Sequence, residues 1–275
     1  MEFLFEYGIF LAKTITIVAA IGFLLASLTS ATQRIKKMEK QGFVEVKSLN
    51  EKYQDISQAM QAAILSEDDY EAAIKAEKKA EKAKLKVEKA NRKKSGEDAE
   101  RKSRLFVVDF VGDIKASDAE MLSEKMTAIL TQATVEDEVV LRLESAGGMV
   151  HAYGFAASQL QRIRDKSIPL TVCVDKVAAS GGYMMACIGS QIFAAPFAVI
   201  GSIGVVAQIP NFNRLLKKHD VDYEVLTAGE YKRTLTMLGE NTEKGREKFQ
   251  QEIEETHDLF KDFVSASRSD LNMDV

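Results

Sequence analysis

Three short loops in the C-terminal half of the chain carry residues that could together break an acyl bond. Ser180 stands at the start of an apolar segment and is followed directly by Gly181 and Gly182. A serine in this position is a common helix N-cap, and it is a candidate nucleophile if its hydroxyl is exposed at the helix start. The sequence alone leaves both interpretations open.

A second pair of glycines could serve the same chemistry. Gly147 and Gly148 lie in the segment ESAGGMV, between a predicted strand and a predicted helix. Backbone N–H groups that point outward beside a helix N-terminus can hold a negatively charged oxygen. A plain tight turn is the simpler interpretation of an isolated glycine pair. If Ser180 is a nucleophile, the N–H of Gly181 and one from this pair are candidate oxyanion donors.

A serine nucleophile needs a base, and the three histidines of the chain are scattered. The segment TAGEYKRTLTMLGENT, residues 227–242, offers Lys232 instead. Ser–Lys pairs are a known variant of serine triads, and burial in an apolar site favours the neutral lysine that can accept a proton. Arg233 stays protonated and cannot replace it. A solvated surface charge is the simpler interpretation of Lys232.

Alternating strand-type and helix-type segments would position these loops from about residue 104 onward. Strands are predicted at Leu105–Phe110, Val139–Glu144, Leu170–Asp175, Gln191–Ala194 and Asp222–Ala228, and helices at 117–133 with Ser117 as N-cap, at 149–165 and from Ser180. This alternation favours βαβ units and a largely parallel sheet. Parallel sheets place sites at the C-terminal ends of strands, which are the loops after Glu144, Asp175 and Ala228.

The N-terminal region has the features of a membrane anchor. Ile9–Leu28 is apolar apart from Lys13, and about 20 apolar residues cross a bilayer as a helix. A cleaved signal peptide is the alternative, but it would carry positive charge where this chain has Glu2 and Glu6. The basic residues at 34–40 predict a cytoplasmic C-terminal side by the positive-inside rule.

A charged segment without proline, residues 50–104, follows and favours helix. Acid–base pairs four residues apart, Glu71 with Lys75 and Glu88 with Arg92, would support it. A solvated helical spacer is the simpler interpretation, and contact with anionic lipid headgroups or nucleic acid is the alternative. The Lys-rich run 71–94 has no aromatic residue for base stacking, which argues against a nucleic-acid module.

Composition excludes some classes of protein. The formal net charge is −4, and it divides into a basic middle and an acidic C-terminal part. Cys173 and Cys187 lie in apolar runs without the spacing of a disulfide framework, and we expect two buried free thiols. The histidines lack the H-x-x-x-H spacing of a zinc site, so no metal site is expected.

Four stretches together resemble one known family. They are LRLESAGGMVHAYGFAASQL, VDKVAASGGYMMAC, APFAVIGSIGVV and TAGEYKRTLTMLGENT, in this order within 105–261. They are similar to the signal peptide peptidase A family of serine peptidases, in particular its single-repeat SohB-type members. Ser145-Ala146-Gly147-Gly148 departs from the Ser-Pro-Gly-Gly common in the family but keeps both glycines.

The resemblance implies peptide-bond hydrolysis on an α/β domain of the ClpP/crotonase-like type with a mainly parallel sheet. It implies that Ser180 is the nucleophile and Lys232 the base. It further implies that Ser202 of the segment GSIG positions the lysine, and that Gly148 and Gly181 are the oxyanion donors. No cofactor is implied.

The resemblance also implies an organisation for the whole chain. We expect a transmembrane anchor at 1–32, a charged helical spacer at 33–103 and the peptidase domain at 104–275. Family members usually continue past a helix at 242–268 into a Gly-rich stretch and final strands, so we expect a C-terminally truncated domain.

The expected partners are peptide or protein substrates, a lipid bilayer and further copies of the chain, without nucleic acid. The expected location is the bacterial cytoplasmic (inner) membrane, crossed once. Relatives act on its outer side, whereas the charge rule predicts the cytoplasmic side, and the side stays open. Two alternatives remain: acyl-CoA chemistry, because crotonases share the oxyanion hole, and a membrane scaffold with an inactive site.

Overall fold

The computed structural model describes residues 44–95, 102–229 and 231–272. The chain divides between Arg101 and Lys102 into two units. The expected anchor, Ile9–Leu28, and the basic residues at 34–40 lie outside the described residues. Within the described ranges, no helix has both the length and the apolar character that crossing a bilayer requires.

The first unit contains two consecutive helices, α1 (Leu49–Ile64) and α2 (Glu67–Ser95). Ser48 caps α1 by accepting a hydrogen bond from the N–H of Glu51. Helix α2 follows after a break of two residues. These helices confirm the helical character predicted for the described part of the spacer.

Polar side chains connect α1 to α2. Gln54 and Gln58 on α1 both donate to the carboxylate of Glu77 on α2, at 2.9 and 3.2 Å. The predicted pair of Glu71 and Lys75 is formed at 2.8 Å. The predicted pair Glu88–Arg92 lies outside the described side chains.

The second unit is built on a six-stranded sheet in which every pairing is parallel. The strands are β1 (Leu105–Gly112), β2 (Glu138–Ser145), β3 (Leu170–Val174), β4 (Val177–Ala179), β5 (Gln191–Ala194) and β6 (Val199–Gly201). Strand β2 is central because it pairs with β1 along its whole length, with β3 over Val139–Arg142 and with β4 at Ser145. The prediction of a mainly parallel α/β fold is confirmed.

Five helices complete this unit within the described residues: α3 (Ala119–Leu130), α4 (Val150–Asp165), α5 (Gly181–Ala186), α6 (Asn213–Lys218) and α7 (Glu243–Ser267). Alternate residues of β1 and β2, including Phe110 and Leu141, bury their side chains beneath α3 and α4. Helix α7 adds Phe260 and Val264 to the same core. The alternation of buried and more exposed residues along β1 and β2 shows that one face of the sheet packs against the core.

Two local predictions are wrong. Residues 222–228 are irregular and do not form a strand, because a strand needs a neighbour to satisfy its N–H and C=O groups and none pairs with this segment in the described chain. Ser117 does not cap α3. The helix begins after Asp118, and the Ser117 hydroxyl donates to the carboxylate of Asp113 instead.

The two cysteines differ in burial. Cys187 is fully buried in the core, and burial raises the pKa of its thiol to about 11. Cys173 is only half-buried, so that part of the prediction is wrong. It stands next to Arg142 in the β2–β3 register, on the face of the sheet opposite the core.

Candidate active site

Ser180 lies in a strained turn between β4 and α5. Its backbone has φ 50° and ψ −119°, a conformation that costs a non-glycine residue on the order of 1–3 kcal/mol. Its N–H donates to the carbonyl of Gly201 at 2.8 Å, and its carbonyl accepts from Met184 at 2.9 Å. Its hydroxyl makes no cap hydrogen bond to the helix, so the side-chain cap interpretation is wrong. The turn presents a serine oxygen at the start of a helix.

The Gly147–Gly148 loop touches the Ser180 turn. Gly147 has φ 90°, and a Cβ on it would lie 2.7 Å from the N of Gly181 and 2.8 Å from the Cβ of Ser180. Only a residue without a side chain fits here. In the described residues, neither the Gly148 N–H nor the Gly181 N–H has a hydrogen-bond acceptor. Two unpaired donors therefore flank the Ser180 side chain.

A small, partly open cleft lies at these groups. Gly148, Ser180 and Gly181 line one part of it. Its apolar walls come from Val150, Met184, Val205 and Phe260. Mostly apolar side chains therefore surround the Ser180 turn on this side.

Ser202 follows β6 as Ser180 follows β4. The register of the two strands pairs Ala179 with Gly201, so the two serines leave the sheet side by side. Ser202 also has a positive φ, 54°, and its side chain is exposed. The fold thus brings together Ser180, Ser202, Gly148 and Gly181, four of the residues singled out from the sequence.

Lys232, the remaining predicted residue, is not part of that cluster in the single chain. It is exposed in an irregular segment, and its N–H donates to the carbonyl of Gly229 at 3.3 Å. Its side chain makes no hydrogen bond or ion pair with the residues that the structure describes. The neighbouring Tyr231 ring faces the ammonium groups of Lys244 and Lys248 on α7, at 5.6 and 5.7 Å.

Sequence reasoning missed the residues that support the site from behind. Tyr153 and Ser145 share a buried hydrogen bond of 2.5 Å under the glycine loop. Thr256 and Phe260 reach the cleft from α7. The helical spacing of Phe260 and Val264 could have indicated an inward face of α7, but nothing in the sequence points to the Tyr153 contact.

The sequence of the chain matches two models of one peptidase family. Residues 2–160 match the family described as Peptidase family S49 N-terminal, and residues 162–274 match Peptidase family S49. The chain belongs to peptidase family S49. The assignment rests on matches that cover nearly all of its length.

Relatives of this S49 peptidase carry consistent names. A "Probable protease SohB" of Haemophilus influenzae is 56% identical over 275 residues, which cover 99% of this chain and 77% of the relative. A "Probable protease SohB" of Buchnera aphidicola subsp. Schlechtendalia chinensis is 45% identical, covering 100% and 90%. A "Putative signal peptide peptidase SppA" of Enterococcus faecium is 29% identical over 137 residues, covering 50% and 39%.

These matches confirm the resemblance seen in the four motif stretches. This chain is an S49 serine peptidase of the SohB type, and its substrates are peptides or proteins.

Proposed function

We propose that this S49 peptidase is a membrane-anchored endopeptidase with Ser180 as nucleophile and Lys232 as general base. The observation that carries the proposal is the turn at Ser180. Its hydroxyl is free of cap bonds, its backbone is strained, and the N–H groups of Gly148 and Gly181 stand beside it without acceptors in the described chain. Strain held in place by surrounding packing is common where a side chain must be presented to a substrate.

The proposed reaction has two steps. Neutral Lys232 takes the proton from the Ser180 hydroxyl as the serine oxygen attacks a peptide carbonyl, and the N–H groups of Gly148 and Gly181 hold the oxyanion. Protonated Lys232 then donates to the leaving amine. Water then attacks the resulting ester as Lys232 accepts its proton, and Lys232 returns that proton to the Ser180 oxygen when the second product leaves. Ser202, beside Ser180, would orient the lysine.

The base in this proposal reaches the serine in a homo-oligomer. The segment that carries Lys232 exposes large apolar side chains, including Leu226 at 93% and Tyr231 at 44%. Exposed apolar surface of this kind is typical of protein–protein contacts. In such an assembly a neighbouring copy covers this segment. Lys232 then reaches either Ser180 of the same copy or Ser180 of the neighbouring copy.

We further propose that Ile9–Leu28 anchors the protein once in the bacterial inner membrane. The support is the length of the apolar run and the absence of positive charge before it. Substrates would then be extended peptides close to the bilayer. The apolar walls of the cleft favour a small or apolar side chain next to the cleaved bond.

Active-site labelling tests this proposal directly. The full chain in membranes would be treated with a fluorophosphonate probe, and turnover of an unstructured peptide would be measured in parallel. We expect wild-type protein to be labelled, Ser180→Ala to lose both labelling and turnover, and Ser167→Ala to keep both. Ser167 is a matched control because it is an exposed serine with a similarly positive φ of 57°.

The same experiment weighs the alternatives. Turnover that survives in Ser180→Ala would contradict the assignment of the nucleophile. Affinity for an acyl-CoA without probe labelling would support acyl-CoA chemistry, and an unlabelled, inactive wild-type protein would support a scaffold. A probe that cannot cross the membrane, applied to intact cells, reports which side the serine faces.

A further inference from the structure

Tyr153 is the largest fully buried side chain among the described residues of the second unit and lies in the first turn of α4. Its hydroxyl is 2.7 Å from the carbonyl oxygen of Asp113 and 2.5 Å from the hydroxyl of Ser145. The Ser145 oxygen in turn accepts the N–H of Gly147 at 3.1 Å. A hydrogen-bond chain thus runs from the glycine loop into the core.

The chemistry of the groups determines which one donates in each of these three hydrogen bonds. A carbonyl oxygen only accepts, so the single Tyr153 proton goes to Asp113. Ser145 must then donate to the Tyr153 oxygen, which leaves a Ser145 lone pair for the Gly147 N–H. Burial raises the pKa of Tyr153, so the phenol stays protonated at neutral pH and keeps this order. No donor or acceptor in the chain can reverse without breaking another bond.

The far end of the chain is itself held in place. The Asp113 carboxylate accepts from the N–H groups of Lys115 and Ser117 and from the Ser117 hydroxyl. The backbone bond from Ser117 is the main cause that holds the pKa of Asp113 below its usual value. The Asp113 carbonyl that accepts the Tyr153 hydrogen bond therefore belongs to a turn that is itself fixed by hydrogen bonds.

The ring of Tyr153 supports the second glycine segment. A Cβ on Gly181 would lie 2.5 Å from the Cγ of Tyr153, so the backbone of Gly181 rests directly on the ring. One side chain therefore touches both sides of the site: its hydroxyl acts through Ser145 on the Gly147–Gly148 loop, and its ring lies under Gly181.

We propose that Tyr153, acting through Ser145, is a positioning residue that sets the separation of the Gly148 and Gly181 N–H groups. The inference rests on the proposed function, in which these two groups hold the oxyanion. Such donors must lie 2.7–3.1 Å from the developing oxyanion, and small displacements lower the rate. A rigid link from the core to both donors meets that requirement.

Tyr153→Phe and Ser145→Ala test the link because each removes one hydroxyl and leaves the packing largely intact. We expect kcat for an unstructured peptide to fall about 10- to 100-fold in each variant, with KM changed less than about twofold, since the lost interaction acts in the transition state. The double variant should lose no more than about the larger single loss, because both changes break one chain. Tyr183→Phe is the matched control: it is a buried tyrosine whose hydroxyl has no hydrogen bond in the described chain, and it should keep wild-type kcat.

Inhibition separates positioning from general structural support. A peptide aldehyde forms a tetrahedral adduct on Ser180 and places an oxyanion in the hole, whereas the matching peptide alcohol binds without one. The inhibition constant of the aldehyde should rise by the same factor as kcat falls, and that of the alcohol should stay unchanged. Equal weakening of both inhibitors, or a loss confined to KM, would overturn the proposal.

The Ser180→Ala variant distinguishes a failure of the positioning role from a failure of the proposed nucleophile. If Ser180→Ala abolishes turnover while Tyr153→Phe and Ser145→Ala keep wild-type kcat, the positioning role is wrong and the nucleophile stands. If Ser180→Ala is as active as wild type, the proposed function fails first. If either variant has a lowered melting temperature, hydrogen exchange of the wild-type protein provides the test. Rapid exchange of the Gly147 N–H would show that the hydrogen bonds linking Gly147, Ser145 and Tyr153 are not formed, and would overturn the proposal.

Discussion

Two adjoining stretches of the catalytic unit differ sharply in burial. Every residue of Gly181–Gly189 is buried, and the preceding strands β3 and β4 are largely buried as well. From Ser190 to Leu238, no described residue is buried. The first stretch begins next to Ser180, and the second carries Lys232.

Within one chain, the residues of the proposed site therefore differ in how firmly packing holds them. Ser180 and the Gly147–Gly148 loop adjoin β2, β4, α4 and α5, and buried side chains of these elements belong to the core. The second stretch instead exposes large apolar side chains, with Phe197 at 99% and Val206 at 81%. Polar contacts such as the one from the Asn211 amide to the carbonyl of Thr236, at 2.9 Å, join residues of this same stretch. In our proposal, assembly with further copies completes what the fold leaves open.

The largest expected effect on turnover is that of removing Lys232, the proposed base. We expect Lys232→Ala to lower kcat about 10²- to 10⁴-fold, as for loss of a general base. Arg233→Ala, the neighbouring cation, should keep turnover within a few-fold of wild type. Steady-state hydrolysis of a peptide by the full chain in detergent measures both variants. Wild-type turnover in Lys232→Ala would remove the lysine from the mechanism.

Co-assembly of two inactive variants tests whether Ser180 and Lys232 of one site come from different copies of the chain. If one copy supplies the serine and its neighbour the lysine, Ser180→Ala and Lys232→Ala subunits co-assembled in equal amounts should regain about a quarter of wild-type activity, since one interface in four is then intact. If each copy uses its own pair, the mixture stays inactive. Wild-type rates before and after dilution provide the control for assembly.

A smaller effect probes the sheet that carries Ser180. Asp137 precedes β2, is 1% exposed, and accepts hydrogen bonds from Thr134 and Arg104. We expect Asp137→Ala to lower the free energy of unfolding by about 3 kcal/mol, because buried donors lose their acceptor. Asp109→Ala, which removes an exposed pair with Arg142, should cost less than about 1 kcal/mol. Denaturant titration compares the two.

The pH dependence of that loss follows from the same contacts. Burial alone would raise the pKa of Asp137, but hydrogen bonds from Thr134 and Arg104 and the Arg104 charge outweigh it and lower the pKa. Because the pKa of Asp137 is lower in the folded than in the unfolded state, its ionised carboxylate stabilises the fold at pH values above the unfolded-state pKa. This stabilisation is lost as the pH falls through the folded-state pKa. The difference between wild type and Asp137→Ala should therefore persist at neutral pH and shrink below about pH 4. A difference that grows in acid would contradict this.

The smallest effect on stability is expected in the exposed stretch. Leu226→Ser should change the free energy of unfolding by less than about 0.5 kcal/mol, because the side chain has little packing to lose. It should nevertheless weaken assembly if another copy covers this stretch. Val135→Ser, another exposed apolar residue of the same unit, is the control. Sedimentation in detergent compares the two variants, and equal assembly would count against the proposed contact.

Much of the fold could be predicted because its signals are local. Val139–Glu144 and Leu170–Asp175 are apolar runs bounded by polar residues, and both became strands within one residue of the prediction. Strands β4 and β6 were missed because three residues give too little periodicity to detect. Residues 222–228 have the composition of a strand, but composition cannot supply a partner strand.

The candidate site divides in the same way. The sequence by itself determined the residue types: a serine before two glycines, a second glycine pair after a strand, and a lysine in a later loop, in an order that matches one peptidase family. Ser180 beside Ser202 depends on the β4–β6 register, and Gly148 beside Gly181 depends on contact between loops more than 30 residues apart. The contacts of Tyr153 with both loops and the exposure of Lys232 on a single chain depend on tertiary packing. The reason is physical: sequence patterns report contacts within an element, whereas a site is built from contacts between elements.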